Sequence, residues 1–131
     1  MLFIGCKLKP VDNSGVKLVR CIRIISKTKK FAIIGDLIGV VIKQFKITKK
    51  LLKKTMYYGL IVATKYPIQR LDGIKVIFGS NRVVLLNTNL KVLSTRLFGP
   101  IGREVRNNFV GKGRHRKWRY DKIVSLAKKV V

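Results

Sequence analysis

Acidic residues are scarce in this sequence. Five of its 131 residues are Asp or Glu, whereas 30 are Lys or Arg, and the formal net charge is +25. So few carboxylates cannot form the surface salt bridges that would balance the lysines, and the folded chain must tolerate strong self-repulsion. A polyanion would relieve that repulsion, and nucleic acid is the first candidate.

The same scarcity argues against catalysis. The acids are scattered rather than paired: Asp12, Asp36, Asp72, Glu104 and Asp121. Asp12 and Asp72 lie in turn sequences, which argues against a cooperating pair of carboxylates. His115, the only histidine, lies in a cationic segment with no evident orienting acid. We therefore predict no enzymatic activity and no catalytic residue.

Cysteine and histidine are too few for a metal site. Cys6 and Cys21 form no CxxC pair, and His115 is the only histidine that could join them. We predict that both cysteines are small buried hydrophobes in a reducing compartment. We also predict that the protein holds neither a metal nor another cofactor.

Long apolar runs are absent as well. The longest, residues 56–63, is far shorter than the roughly 20 residues of a membrane span. The first residues acquire charge too early for a signal peptide and lack the pattern of a transit peptide, so we expect the protein to act where it is made. Alanine is rare while isoleucine and lysine are abundant, which is typical of an AT-rich genome such as that of an organelle.

Apolar residues are present in short, β-branched segments separated by turns. Hydrophobic residues make up 47% of the chain, enough for one core, and the length predicts a single domain. Asp12-Asn13-Ser14-Gly15 and Leu71-Asp72-Gly73 are turn sequences. Strands are predicted at residues 16–25, 37–42, 56–64, 74–78 and 83–86. In the first of these, charges at every third residue would also fit a helix, but the Val and Ile content favours a strand. Together the segments indicate a small barrel or sandwich.

The pattern changes after the breaker Phe98-Gly99-Pro100. Residues 101–108 and 121–129 have a spacing compatible with helices, and Asp121 is the predicted N-cap of the second one. The apolar residues of that helix fall on one face: Ile123, Leu126, Ala127 and Val130.

Two windows concentrate the positive charge. The first, residues 43–55, is predicted to be a β-ribbon that lays six lysines against phosphates: Lys43, Lys46, Lys49, Lys50, Lys53 and Lys54. The alternative for one such run is a solvated face, but here the excess charge extends over the whole chain.

The second window, residues 111–120, adds arginines that fork onto phosphates and aromatic rings that stack on unpaired bases. Its predicted RNA-binding residues are Lys112, Arg114, His115, Arg116, Lys117, Trp118 and Arg119. Gly111 and Gly113 make it flexible, and we expect it to become ordered on RNA. Two alternatives stay open: a disordered basic loop and, for Trp118, a minor place in the core.

Several blocks in a fixed order carry a family resemblance. The clearest is Gly59-Leu60-Ile61-Val62, followed after nine residues by Asp72-Gly73 and then by Phe78, Asn81, Val84 and Leu85. The others are Val11-Asp12-Asn13-Ser14-Gly15, Cys21-Ile22-Arg23, Ile34-Gly35-Asp36, Thr95-Arg96-Leu97-Phe98-Gly99-Pro100, Arg103-Glu104 and Lys122-Ile123-Val124-Ser125-Leu126-Ala127. The sequence resembles the universal large-subunit ribosomal protein L-fourteen family along nearly its whole length.

The resemblance implies a mainly β fold: a small closed five-stranded β-barrel with a basic β-ribbon and a C-terminal region of short helices. We expect one domain, residues 1–131, with the barrel at 1–98 and the C-terminal region at 99–131. The implied function is that of a structural constituent of the large ribosomal subunit, which binds its rRNA and contributes to inter-subunit bridges. The alternatives are a free barrel-fold RNA-binding module or RNA chaperone, and a membrane-surface protein.

The resemblance also implies partners. These are large-subunit rRNA, small-subunit rRNA through the bridges, the neighbouring proteins L-three and L-nineteen, and a ribosome-silencing or anti-association factor. Thr95, Arg96 and Lys122 are the expected docking residues for proteins, and Arg103 and Arg106 the expected bridge residues. Further rRNA contacts are predicted outside the two windows, at Lys7, Lys17, Arg23, Lys65, Arg70 and Arg82.

Three departures from the family pattern stand out. Residues 53–56 read Lys-Lys-Thr-Met where bacterial-type relatives have Lys-Lys-Gly-Asp, and Leu90 occupies a turn position where relatives prefer glycine. Residues 109–120 form a basic insertion of about ten residues, to which no family role carries over. The bacterial-type resemblance and the AT bias together predict a mitochondrial ribosome, with the protein encoded in the organelle. A plastid or a bacterial cytoplasm is the alternative.

Overall fold

A computed structural model describes residues 1–25, 30–46, 55–106 and 117–131, the first five of the last range by their backbone alone. Five strands form a closed barrel, in the order β1-β2-β3-β4-β7. They are β1 (Lys7–Pro10), β2 (Val16–Ile24), β3 (Leu37–Phe45), β4 (Met56–Ala63) and β7 (Arg82–Leu86). The predicted five-stranded barrel is therefore confirmed.

Closure of the barrel depends on one parallel pairing. Neighbouring strands are antiparallel except β1 and β7, where Lys9 pairs with Arg82 and Pro10 with Val83. The Val11 amide extends this ladder by donating to the Val83 carbonyl at 3.0 Å. Because the sheet closes on itself, none of these five strands leaves a free edge.

The barrel interior is filled by aliphatic side chains that alternate along the strands. Val19, Ile38, Val40, Ile61, Val83 and Leu85 are all fully buried. Each buried Val, Leu or Ile stabilises the fold by about 1.5–3 kcal/mol relative to its exposed state. The strongly cationic sequence can fold because none of the described lysines and arginines is buried in this core.

Gly59 is the one barrel position where space requires glycine. A Cβ atom there would lie 2.6 Å from Val83 Cγ2, which is closer than real contacts allow. Gly59 pairs with Leu85 across the β4–β7 ladder. The close approach of these two strands explains why glycine opens the most recognisable block of the sequence.

The predicted turn at residues 12–15 ties three parts of the barrel together. Asp12 Oδ1 accepts hydrogen bonds from the Ser14 amide, at 3.2 Å, and from the Ser14 hydroxyl, while Oδ2 accepts one from the Leu85 amide at 3.1 Å. The Asn13 side-chain amide donates a hydrogen bond to the Thr95 hydroxyl at 3.1 Å, and the Thr95 backbone amide donates one to Asn13 Oδ1 at 3.2 Å. The turn therefore fixes the chain near Thr95 to the barrel.

The strands predicted from local pattern are present with small shifts at their ends. The predicted strand 74–78 is short: β6 (Lys75–Val76) forms a hairpin with β5 (Ile68–Gln69) around the Asp72-Gly73 turn. The first predicted window keeps its base, because β3 reaches Phe45 and β4 begins at Met56, but the tip of the ribbon lies outside the described residues.

The helix predictions for the C-terminal region are wrong in detail. Of the predicted segment 101–108, the structure describes residues 101–106, and these do not form an α-helix: Ile101 belongs to β8 (Pro100–Ile101), and a single 3-10 turn follows at Arg103–Val105. Helix α1 spans Lys117–Leu126, so Asp121 lies inside it and is not its N-cap.

The physical reason is a long-range pairing that local periodicity does not reveal. Lys129 and Val130, which belong to or follow the predicted helix, form strand β9 (Lys129–Val130) instead, and this strand pairs in parallel with β8. The Val131 amide donates to the Ile101 carbonyl at 2.9 Å, and the Arg103 amide to the Val131 carbonyl at 3.0 Å. Val130 is consequently exposed, while Ile123 and Val124 of α1 are buried. The boundary near residue 98 stays a prediction.

Among the described residues, no helix is both long enough and apolar enough to span a membrane.

Candidate nucleic-acid interface

Two of the few acids are committed to internal contacts and do not neutralise the outer surface. Asp12 and Asp36 are buried and accept backbone hydrogen bonds, from Ser14 and Leu85 and from Ile33 respectively. Their roles are structural. The positive charge of the exposed side chains is therefore largely uncompensated, as the composition predicts.

Four cations form a cluster on the outer face of three adjacent strands, here called the β1 face: Lys7 and Lys9 on β1, Arg20 on β2 and Arg82 on β7. Lys7 is the register partner of Arg20, and Lys9 is the register partner of Arg82. Residues directly opposite each other share one side of a sheet, and Lys7, Lys9 and Arg20 are exposed. The strand pairing therefore sets two like-charged pairs side by side.

Such pairs destabilise an isolated sheet, since like charges directly opposite repel. The structure also holds two of the guanidinium groups in place. Arg20 Nε donates to the Gly5 carbonyl at 3.2 Å, and Arg82 Nε donates to the Ser80 hydroxyl at 2.8 Å. Fixed guanidinium groups lose little conformational entropy when they bind an anion such as a phosphate.

A cleft of about 390 Å³ opens beside the β1 face. It is lined by Lys9, Pro10, Val11, Ser80, Arg82, Phe98 and Gly99. Phe98 is 48% exposed, so its ring provides a surface on which a base can stack.

A second group of cations lies at the end of the barrel where β2 begins and β3 ends. Lys17, Lys43 and Lys46 are exposed there, and the Lys46 amide donates to the Gly15 carbonyl at 2.8 Å. Arg23 is also exposed, further along β2, where its Cβ packs over Gly39. Of the first predicted window, Lys49, Lys50, Lys53 and Lys54 lie outside the described residues.

The predicted site residue Arg70 has an internal role. Its Nε donates to Glu104 Oε1 at 2.6 Å, and its Nη2 donates to the Val131 carbonyl at 2.7 Å. The hydrogen bond to Glu104 raises the pKa of Arg70 further above its ordinary value. Because only 11% of its side chain is exposed, Arg70 is the weakest of the predicted RNA contacts.

Three further predicted cations are accessible. Lys65 and Arg106 are exposed. Arg103 is 54% exposed and lies 3.6 Å from Asp72 Oδ2, in a surface contact that solvent screens strongly.

The predicted protein-docking residues lie near one another. Thr95 and Arg96 line a cavity of about 290 Å³ with Leu97, Phe98, Leu126 and Lys128. Lys122 does not line it, but it is exposed one helical turn before Leu126, so it can share the same surface.

The second predicted window is only partly described. Lys112, Arg114, His115 and Arg116 lie outside the described residues. Lys117, Trp118 and Arg119 belong to the first turn of α1, by their backbone, rather than to a loop.

Several exposed cations escaped the sequence prediction: Lys9, Arg20, Lys30, Lys75, Lys91, Lys128 and Lys129. For Lys9 a signal was available, because Lys7-Leu8-Lys9 alternates and Leu8 is buried. The position of Arg20 opposite Lys7 depends on strand register, which no local pattern reports.

Comparison with known proteins identifies the fold family. The family model described as ribosomal protein L14p/L23e matches residues 1–131. The chain belongs to this family. It is also 38% identical over 125 residues to the large ribosomal subunit protein uL14 of Carsonella ruddii (strain PV), covering 95% of this chain and 94% of that protein.

Membership of the L14p/L23e family settles the general function. The protein is a structural constituent of the large ribosomal subunit rather than an enzyme, and it binds large-subunit rRNA and neighbouring ribosomal proteins. The barrel described above agrees with this family's fold.

Proposed function

We propose that the β1 face, Lys7, Lys9, Arg20 and Arg82, is a principal rRNA phosphate-binding surface of this ribosomal protein. The observation that carries the proposal is the pairing of Lys7 with Arg20 and of Lys9 with Arg82. Repulsion between these paired cations destabilises the free protein, whereas phosphates bound between the cations stabilise the complex.

The exposed lysines Lys17, Lys43 and Lys46 extend the contact to the base of the ribbon, with Arg23 further along β2. Phosphate contacts of this kind fix position and orientation without reading sequence. The cleft beside Phe98 then accepts a nucleotide whose phosphate meets Lys9 and Arg82.

The finer assignments follow from the family resemblance. We propose that Arg103 and Arg106 face small-subunit rRNA in an inter-subunit bridge, and that L-three and L-nineteen are neighbours. The surface formed by Thr95, Arg96 and Lys122 is proposed to dock a ribosome-silencing or anti-association factor. The exposure of all these side chains supports the assignment.

We also propose that the ribosome in question is mitochondrial. The AT-biased composition supports this assignment. The similarity to a bacterial uL14 is expected for an organellar ribosome of bacterial type, and it equally fits the bacterial alternative. Fractionation of the source cells with detection of the protein distinguishes the compartments.

The salt dependence of rRNA binding tests the β1 face. We compare the wild-type chain with the double variant Lys7→Gln/Arg20→Gln on large-subunit rRNA fragments. Each lost phosphate contact should reduce the slope of log affinity against log salt by about 0.7–0.9. A variant with the same change in net charge, Lys75→Gln/Lys91→Gln, is the matched control.

The expected result is a reduced slope and weaker binding for the first variant alone. Equal effects of the two variants would show that only total charge matters and would overturn the assignment of the β1 face. Sedimentation of the tagged proteins with large subunits from a lysate tests the same prediction in the assembled particle.

A further inference from the structure

Two free thiols face each other at the start of β1. The antiparallel register of β1 and β2 pairs Lys7 with Arg20 and Leu8 with Val19. One step before Lys7, the same register places Cys6 opposite Cys21, and the Cys21 amide donates to the Cys6 carbonyl at 3.0 Å. Both cysteines are free. The chain therefore brings its only two cysteines together across adjacent strands.

A β-bulge fixes this position. The Gly5 amide donates to the Cys21 carbonyl at 2.7 Å, and Gly5 has a positive φ of 93°. Two residues of one strand, Gly5 and Cys6, thus oppose Cys21, as in a glycine-type bulge. Because a bulge re-aims the following side chain, the thiol of Cys6 is directed toward its partner by the backbone itself.

The two thiols are not equivalent, and the prediction that both are buried is wrong for one of them. Cys21 is buried, whereas Cys6 is partly exposed because it lies before the first barrel strand. A hydrogen bond between the two side chains lowers the pKa of Cys6 to about 7, helped by the nearby amino terminus and opposed by burial. The same hydrogen bond, together with burial, raises the pKa of Cys21.

We propose that Cys6 and Cys21 are a redox-active dithiol that a hydroperoxide converts into an intrachain disulfide. The Cys6 thiolate is the accessible nucleophile, and Cys21 is the resolving thiol. This role is independent of rRNA binding, and it contrasts with the inert behaviour of cysteines that are simply packed in a core.

The chemistry balances in two steps. The Cys6 sulfur attacks one oxygen of hydrogen peroxide, the O–O bond breaks, and hydroxide leaves and is protonated to water, which produces a sulfenic acid at Cys6. The Cys21 sulfur then displaces the hydroxyl from the Cys6 sulfur. The S–S bond forms, and this oxygen leaves as water with the proton of Cys21. Two thiols are oxidised by two electrons, and one peroxide is reduced to two waters.

The product would join the residue before β1 to the middle of β2. Exposed disulfides are reduced more readily than buried structural ones, and Cys6 is partly exposed. The bond should therefore form and break reversibly, next to the Lys7 and Arg20 pair of the β1 face.

The test uses the purified full-length chain in its reduced form. One equivalent of hydrogen peroxide at pH 7, followed by alkylation, should yield a monomer that has lost two hydrogen atoms and two alkylatable thiols. A peptide map should link Cys6 to Cys21, and dithiothreitol should restore both thiols.

Two variants separate the roles. In Cys21→Ser the sulfenic acid at Cys6 should persist and be trapped by dimedone, whereas in Cys6→Ser the remaining thiol should react many-fold more slowly. Thermal unfolding shows whether each variant is folded. If Cys21→Ser does not fold, the rate of alkylation of Cys6 in the wild-type chain still tests the proposal, since it should be half-maximal near pH 7.

The charged and titratable groups that set this profile are the Cys21 thiol and the amino terminus of Met1. Exclusively intermolecular disulfides, direct over-oxidation of Cys6 to the sulfinic acid, or equal peroxide reactivity of Cys6→Ser and wild type would each overturn the proposal.

Discussion

The barrel and the C-terminal region are held in place by different kinds of contact. The barrel strands β1 to β4 and β7 form continuous ladders around an apolar interior. The C-terminal region is attached by the two-residue strands β8 and β9, the Arg70–Glu104 ion pair and the buried residues Ile123 and Val124. A continuous ladder has many hydrogen bonds to set against repulsion between the charges outside it, whereas the C-terminal region depends on a few discrete contacts, and its Glu104 carboxylate is paired with Arg70.

The largest effect should come from the polar contact inside the barrel. Asp12→Ala removes the acceptor for two amides and a hydroxyl, and it leaves the buried Leu85 amide without a partner. We expect a loss of about 3 kcal/mol in the free energy of unfolding, measured by urea denaturation. Asp72→Ala, at an exposed turn, is the control and should cost less than about 1 kcal/mol. Similar losses for both variants would contradict the structural role of Asp12.

A more local effect is expected where the C-terminal region is attached. Glu104→Gln removes the charge that pairs with Arg70, so the C-terminal strands should open more often while the barrel stays closed. Hydrogen exchange should accelerate at the Arg103 and Val131 amides, which bond β8 to the chain end. Uniform acceleration across β2 and β3 would show instead that the two regions unfold as one.

The turn after β7 offers a smaller test within the barrel. Leu90 has a φ of 59°, a left-handed conformation that costs a non-glycine residue about 1–2 kcal/mol. Leu90→Gly relieves this strain but loses packing against the core, whereas Leu90→Ala loses the packing and keeps the strain. We expect Leu90→Ala to be the less stable variant by about 1 kcal/mol in urea denaturation, which reverses the usual order of alanine and glycine. The usual order would contradict the strain.

The smallest effect is expected for a substitution that should raise the stability of the free protein and lower its affinity for rRNA. Lys7→Glu turns a like-charged pair with Arg20 into an attractive one, so the free protein should gain up to about 0.5 kcal/mol. Its affinity for rRNA should nevertheless fall, as measured by filter binding. Lys75→Glu, opposite the neutral Gln69, makes the same charge change without the gain. Loss of stability in Lys7→Glu would show that Lys7 and Arg20 do not repel each other.

The same comparison explains what could be predicted from the sequence. The barrel strands β2, β3, β4 and β7 were predictable because β-branched runs and the turns at Asp12 and Asp72 are local signals, whereas β1 was not among the predicted strands. The order of the strands and their closure followed from the family resemblance, since no local pattern reports that β1 pairs with β7. The short strands β8 and β9 were missed because each holds only two residues, and their pairing depends on a distant segment.

The candidate site was predictable in composition but not in arrangement. Exposed lysines such as Lys7 and Lys17 follow from alternation along strands. The internal role of Arg70 did not, because its partner Glu104 is 34 residues away in the sequence. The pairing of Cys6 with Cys21 was likewise invisible, since it depends on the register of β1 and β2 and on the bulge at Gly5.

Closure by the β1–β7 pairing also constrains the order of events during synthesis. Until residues 82–86 have left the ribosome that makes this chain, β1 and β4 have no partner for their outer edges. An open β edge invites pairing with other nascent chains, and charged side chains on it discourage such contacts. Lys7 and Lys9 therefore protect the first strand of the nascent chain from pairing with other chains before they bind the rRNA of the finished particle.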